Sequence, residues 1–135
     1  MKRILFVVVV LASLVLSSCG GEPAPSSTID VTMTDFQFTP NSFTVPAGQT
    51  ITINALNTGT VVHNFVVMKL GTTAGDAWDD GDIPNVFWQI QLEPGASKAD
   101  TFTAPTEPGE YQVVCSTPGH IQAGMIAKLI VVAGQ

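Results

Sequence analysis

The sequence predicts an all-β domain, a β-sandwich of seven or eight short strands. From Ile29 onward, apolar residues recur at every second position, which is the period of a strand and not of a helix. Turn residues interrupt these runs at short intervals, as in Pro46-Ala47-Gly48 and Glu93-Pro94-Gly95. No coiled-coil pattern or internal repeat is visible. Short alternating segments between Gly/Pro turns are typical of two packed sheets.

The strand assignments follow this alternation along the chain. Apolar residues fall on odd positions from Ile29 to Met33 and on even positions at Phe36 and Phe38. A slip of one residue turns side chains to the opposite face, so we expect a bulge or kink near Asp35. The later strands are predicted from Ile51 to the break at Asn57-Thr58-Gly59 and over residues 61–68, 86–92, 97–103, 109–115 and 125–132.

The segment from Gly71 to Pro84 interrupts the strand pattern with four acidic residues and Trp78. We expect a long solvated loop with a short helical turn. The alternative is a flap that docks a partner, because long loops are often functional.

The N-terminus resembles an export signal. Lys2 and Arg3 precede an apolar stretch 13 residues long, Ile4 to Leu16, which includes one serine. This run is shorter than the ~20 residues that a membrane-spanning helix needs. Residues 1–18 are therefore predicted to be a signal peptide of the lipoprotein type.

Leu16-Ser17-Ser18-Cys19 resembles the bacterial lipobox, which implies cleavage before Cys19 and lipidation of that cysteine. Ordinary cleavage near Ser18, with Cys19 left as a plain thiol, is the alternative. Residues 19–28 are then the lipidated cysteine and a flexible tether of small, polar and proline residues. Residues 29–135 are predicted to be one folded domain.

The charge balance narrows the range of partners. Without residues 1–18, three lysines face eleven acidic residues, a net charge of −8. Such a chain is a poor ligand for nucleic acid. It favours encounter with a basic partner at low ionic strength.

The most informative stretch is CSTPGHIQAGM, with four residues between Cys115 and His120 and four between His120 and Met125. If Cys115 ends one strand and Met125 opens the next, the loop returns three donors to one metal ion. His63 lies 52 positions before Cys115 and would complete the set. A thiolate, two imidazoles and a weak axial thioether form the ligand set of a blue-copper electron-transfer centre.

Each of these residues also has an ordinary reading. A lone His in an apolar strand is usually a half-buried core histidine, and a lone Met or free Cys is usually a core side chain. The combination favours a metal site, because the chain has only two histidines and the pattern uses both. A Cys19–Cys115 disulfide is not expected, since it would remove the metal-binding thiolate.

CxxPGH and the His63-Asn64 pair resemble the cupredoxins, and the whole stretch from Cys115 to Val132 is most similar to the copper loops of auracyanins and rusticyanin. The resemblance implies a Greek-key β-sandwich and one copper ion. It implies that Asn64 bonds across to Ser116. It also implies that His120 sits at the surface within an apolar rim of Pro118, Ile121, Ala123 and Gly124, where redox partners dock.

The predicted function is a mononuclear copper electron carrier, a monomer that shuttles electrons between membrane redox complexes or cytochromes. It is not expected to be an enzyme, because no further histidines remain for a second copper site. The alternatives are an extracytoplasmic copper-delivery protein and a metal-free adhesive sandwich. The predicted location is outside the cytoplasm, at the outer face of the cytoplasmic membrane or in the periplasm.

Overall fold

A computed structural model describes residues 23–134, which form two β-sheets packed face to face. Within this range there are nine strands, β1 to β9, in chain order: Thr28–Thr34, Gln37–Thr39, Ser42–Pro46, Thr50–Asn57, His63–Met68, Val86–Leu92, Ser97–Thr103, Gly109–Val114 and Ile126–Val132. The signal peptide and Cys19 lie outside the described residues. The all-β sandwich is confirmed, with more strands than the seven or eight expected.

The sheets have the orders β2-β1-β4-β7 and β3-β9-β8-β5-β6. The chain crosses repeatedly between them, as Greek-key connectivity requires. Two pairs are parallel, β1 with β4 and β3 with β9, and the other pairs are antiparallel. The alternation of polar and apolar residues places one face of most strands in the space between the sheets.

The expected bulge or kink near Asp35 is wrong. Asp35 and Phe36 instead form a tight turn, and β1 pairs with β2 as an antiparallel hairpin with Thr34 opposite Gln37. Phe36 has φ 73°, a left-handed conformation that bulky residues rarely adopt. The phase change in the sequence therefore marked a chain reversal, and this turn adds the extra strand.

The main core lies between the two sheets. Side chains at alternate positions of the strands fill it, including Val31, Phe38, Ile53, Phe65 and Leu129, all at most 3% exposed. Cys115 and Met125 belong to the same buried cluster. The prediction that both sulfur-bearing residues share a face with apolar residues is therefore confirmed.

The loop from Gly71 to Pro84 is more than a solvated loop. It does contain the start of a short 3-10 helix, Ile83–Asn85. Its Ala74 is buried and its Trp78 half-buried against a second apolar cluster on the outer face of β5 and β8. The loop thus covers that face, which explains why all six residues of β5 are buried.

Two serines of the predicted tether contact the sandwich. The Ser26 amide donates to the Thr44 carbonyl at 2.9 Å, and the Thr52 amide donates to the Ser27 carbonyl at 2.9 Å. Among residues 23–134, no helix is long and apolar enough to cross a membrane.

Candidate metal centre

Cys115 follows directly after β8 and is fully buried. Its amide donates to the Met125 carbonyl at 3.2 Å, which closes the loop between the two residues. The backbone amide of Asn64 donates to the Cys115 Sγ, 3.4 Å away. An N–H group directed at the sulfur holds its position and is the kind of outer contact that orients a metal ligand. Within the described residues Cys115 is a free cysteine.

His63 is the first residue of β5 and is 0% exposed. Because side chains alternate along a strand, His63 lies on the same face as Phe65 and Val67, inside the sandwich. Its Nδ1 lies 3.7 Å from the Cys115 Sγ. The fold therefore brings together two residues that are 52 positions apart in the chain.

His120 lies in a compact turn between β8 and β9. Its amide donates to the Thr117 carbonyl at 3.1 Å, and the Met125 amide donates to the His120 carbonyl at 2.9 Å. Gly119 has φ 85°, a conformation that a residue with a Cβ rarely adopts. The His120 Nδ1 is 3.4 Å from the Cys115 Sγ. Burial, with a smaller contribution from His63, lowers the pKa of His120, which favours the neutral imidazole that binds metals.

The three side chains form a buried donor cluster. One donor atom from each of His63, Cys115 and His120 lies within 4.8 Å of the others. Metal–sulfur bonds of about 2.3 Å and metal–nitrogen bonds of about 2.0–2.1 Å place sulfur and nitrogen about 3.6–3.8 Å apart around one ion. The observed separations of 3.7 and 3.4 Å are close to that value. The donor set therefore fits one copper ion in both chemistry and spacing.

Met125 is 0% exposed and lies at the end of the loop, directly before β9. Its backbone bonds to both Cys115 and His120, so its position is tied to theirs. With Met125, the residues present have the composition of a type 1 copper centre.

A family comparison agrees with this geometry. Residues 25–132 match the family described as copper binding proteins, plastocyanin/azurin family. The chain belongs to this family of cupredoxins. Its members bind copper, so copper is the cofactor that this site is built for.

Individual relatives support the same assignment. Copper-resistant cuproprotein CopI of Rubrivivax gelatinosus is 32% identical over 111 residues, 77% of this chain and 66% of that protein. Auracyanin-B of Chloroflexus aurantiacus is 29% identical over 125 residues, 79% of this chain and 53% of that protein. The chain thus spans between about half and just under two thirds of these relatives.

The solved structure of dithionite-reduced auracyanin from the photosynthetic bacterium Roseiflexus castenholzii superposes with a TM-score of 0.68. Its sequence identity is 34%, and the match covers 80% of this chain and 98% of that one. The predicted similarity of this cupredoxin to auracyanins is confirmed.

Asn64 connects the two halves of the cupredoxin site, but with a different partner than expected. Its Nδ2 donates to the Thr117 Oγ1 at 3.3 Å, and the Thr117 hydroxyl donates to the Val62 carbonyl at 2.9 Å. The expected bond from Asn64 to Ser116 is therefore wrong. The hydroxyl of Thr117, the next residue, bonds both to the Asn64 side chain and to the Val62 carbonyl. This Asn64–Thr117 strap joins the strand of His63 to the loop of His120.

The expected exposure of His120 is also wrong. His120 is only 5% exposed, and the ring of Phe36 lies edge-on to it with centroids 5.1 Å apart. Phe36 itself is 49% exposed, so it covers the imidazole and presents its own outer face to solvent. Its left-handed backbone costs on the order of 1–3 kcal/mol and lets the two-residue turn between β1 and β2 close, which brings the ring to His120.

The predicted apolar rim is only partly present. Pro118, Ala123 and Gly124 are exposed as expected. Ile121 is 5% exposed and packs into the outer cluster beneath the Gly71–Pro84 loop, so it is not part of the surface. Phe36 joins the surface in its place.

Sequence reasoning missed Asp35 altogether as part of the site. The Asp35 Oδ1 lies 3.1 Å from the Nε2 of His63. Hydrogen bonds from the Thr60 side chain and backbone, with a smaller contribution from His63, hold the pKa of Asp35 below its usual value. The phase slip beside Asp35 was the available signal, but it indicated only an irregularity in the backbone.

Proposed function

We propose that this cupredoxin is a mononuclear type 1 copper protein that carries single electrons. His63, Cys115 and His120 would be the equatorial ligands and Met125 the weak axial ligand. The observation that carries the proposal is the buried cluster of two imidazole nitrogens and one sulfur within 4.8 Å. Copper, when bound, supplies the one-electron couple.

The protein's own contribution would be to hold one geometry in both oxidation states. His63, Cys115 and Met125 are fully buried, so water has little access to the donor atoms. The Asn64–Thr117 strap and the Cys115–Met125 backbone bond tie the elements that carry the ligands to each other. Such outer contacts orient ligands and limit their movement when the charge changes.

The test is to add Cu(II) to the protein and record its visible and electron paramagnetic resonance spectra. An intense thiolate-to-copper charge-transfer band with one copper per chain is expected. A weak spectrum typical of nitrogen and oxygen ligation alone would contradict the proposal.

Copper delivery is the second candidate function, because CopI, a relative named as a copper-resistant cuproprotein, is 32% identical. Delivery proteins tend to present exposed Met and His groups that release the ion. Within residues 23–134 all three methionines are buried, which favours retention of the ion over release. Copper transfer to a chelator that is slow relative to electron exchange with the same protein would support the carrier role.

We further propose that the protein acts outside the cytoplasm as a monomeric lipoprotein anchored through Cys19, and that it is not an enzyme. Fractionation of cells that express the wild type or Cys19→Ala tests the anchor. The wild type should carry lipid mass at its N-terminus and sediment with membranes, and the variant should be soluble. Two soluble proteins without lipid would contradict it.

Partners, such as membrane redox complexes or cytochromes, would dock on the surface made by Phe36, Pro118 and Ala123 around His120. Ala123→Glu should then slow electron transfer at every ionic strength. The pair Asp79→Asn with Asp80→Asn, on the Gly71–Pro84 loop, should matter mainly at low salt, since screening removes long-range effects. The reverse pattern in stopped-flow measurements would place the docking site on the loop.

A further inference from the structure

Asp35 contacts the metal centre from outside the ligand set. Its carboxylate Oδ1 lies 3.1 Å from the Nε2 of His63. His63 is fully buried, whereas the Asp35 side chain is 34% exposed. The carboxylate therefore lies between the buried imidazole and solvent.

This contact determines which nitrogen of His63 carries the proton. An ionised carboxylate can only accept a hydrogen bond, so Nε2 must be the N–H of the neutral ring. The other nitrogen, Nδ1, then has its lone pair free, and it faces the Cys115 Sγ at 3.7 Å. The tautomer favoured by Asp35 is the one that presents a donor to the metal position.

The position of Asp35 is itself fixed by the loop that leads to His63. The Thr60 hydroxyl donates to Oδ2 at 2.7 Å, and the Thr60 amide contacts Oδ1 and Oδ2 at 3.0 and 3.2 Å. Two residues earlier, the Thr58 backbone amide donates to the Met33 carbonyl at 2.9 Å. The end of β1 and the β4–β5 loop are thus joined by several bonds, so the carboxylate cannot easily turn away.

Gly59 leaves the space in which this contact forms. A Cβ at residue 59 would overlap the Asp35 Oδ1 and would lie 2.5 Å from the His63 Nε2. Both distances are shorter than real Cβ contacts allow. The backbone approaches the Asp35–His63 pair this closely only because residue 59 has no side chain.

We propose that Asp35 is a positioning residue that fixes the tautomer and orientation of His63 and biases the bound copper toward Cu(II). The proposal rests on the copper-carrier function proposed above. A carboxylate bonded to the far nitrogen of a ligand imidazole strengthens that imidazole as a donor. Its negative charge also favours the more highly charged ion, so its removal should raise the reduction potential.

The first test measures reduction potentials of Asp35→Asn and of a matched control. Asparagine keeps an oxygen that accepts from Nε2 but removes the charge. The ratio of Cu(I) to Cu(II) affinities should rise about tenfold, which for one electron is about 59 mV. Asp30→Asn is the control: Asp30 lies on β1, five residues before Asp35 and about 16 Å away along the chain, and its side chain bonds to the exposed Asn54 side-chain amide. Equal shifts in both variants would overturn the proposal.

A second variant separates the hydrogen bond from the charge. Gly59→Ala keeps the Asp35 carboxylate but inserts a methyl group where the two groups meet. The potential should rise, and the copper electron paramagnetic resonance parameters should change, because His63 loses its fixed orientation. Unchanged potential and spectrum in a folded Gly59→Ala protein would show that the contact has no influence on the site.

The third measurement needs no copper. In the metal-free protein, the His63 Nε2–H should exchange slowly with solvent and be visible by ¹H–¹⁵N NMR. In Asp35→Ala it should exchange faster and the ring should populate both tautomers. Equal exchange in both proteins would overturn the positioning role. This result is independent of the carrier function, since a protein that never turns blue could still show the protected N–H.

Discussion

The two histidines of the metal centre are held by different kinds of contact. His63 begins a central strand, is fully buried, and has its outer nitrogen bonded to the Asp35 carboxylate. His120 lies in a turn, is 5% exposed, and meets the edge of the Phe36 ring. Two adjacent residues of one hairpin turn thus contact the two histidines. Asp35 contacts His63 through its charged carboxylate, and Phe36 contacts His120 through its apolar ring.

This difference indicates a division of roles. A charged hydrogen bond acts on the electronic properties of the ligand and fixes its tautomer. An aromatic cover excludes water and forms part of a contact surface, but it leaves the ligand's charge unchanged. We therefore expect substitutions near His63 to alter the reduction potential. Substitutions near His120 should alter the access of redox partners and water to the copper site.

Cys115→Ser should have the largest effect, because Cys115 lies between the two histidines, 3.7 and 3.4 Å from their Nδ1 atoms. The substitution changes little volume, so the fold should survive. The visible charge-transfer band should be lost completely, since no thiolate remains. Absorption after copper addition and circular dichroism check both parts, and an intensely blue variant would refute the ligand assignment.

Met125→Leu should keep copper and raise the reduction potential. Met125 is tied through its backbone to the His120 loop, but an axial thioether is a weak ligand that mainly tunes the site. Met68→Leu is a matched control, because Met68 is equally buried but lies in the outer apolar cluster. Voltammetry of the three proteins checks this. A lowered potential, or loss of all copper, would contradict an axial role for Met125.

Thr117→Val should lower the free energy of unfolding of the metal-free protein by about 1–2 kcal/mol. The reason is that the Val62 backbone carbonyl and the Asn64 side-chain amide both lose the Thr117 hydroxyl as their hydrogen-bond partner. Ser116→Ala should have little effect, since within the described residues the Ser116 side chain makes no such bond. Denaturant unfolding of the pair distinguishes Thr117 from Ser116 as the residue that joins the two histidine-bearing segments.

Phe36→Ala should have the smallest effect on stability. Its main effect should be on the access of small redox reagents to the His120 ring, and the reduction potential should not change. The loss of the aromatic contact costs about 0.5–1.5 kcal/mol, and the backbone strain at φ 73° stays, because alanine keeps the Cβ that makes a positive φ unfavourable. Small hydrophilic oxidants should react faster, because the His120 ring becomes exposed. Phe87→Ala, a partly exposed phenylalanine on β6 that packs near Tyr111, is the control. A large potential shift in Phe36→Ala would contradict the division of roles.

The copper loop was the most predictable part of the molecule. Cys115, His120 and Met125 lie within eleven consecutive residues, so short-range spacing and a Pro-Gly turn were enough to indicate that they converge. The strands that flank this loop were predictable for the same reason, since alternation is a local property. The β6 and β7 strands occur at their predicted positions.

The errors concern residues whose role depends on distant neighbours. Ile121 was placed on the surface, but the Gly71–Pro84 loop covers it. Ser116 and Thr117 are adjacent hydroxyl residues, and only the fold shows which of them reaches Asn64 and Val62. Asp35 looked like a strand irregularity because nothing in its local sequence points to His63, 28 positions away.

The sequence by itself determined the sandwich class, the identity of the four candidate copper donors and the inward orientation of Cys115 and Met125. These follow from residue chemistry and from a period of two, which a strand imposes regardless of its neighbours. The tertiary structure decided that His63 meets Asp35, that Phe36 covers His120, and that Thr117 joins the strand of His63 to the loop of His120. These contacts bridge different strands and loops, and their pairing depends on how the two sheets pack, which no local pattern in the chain encodes.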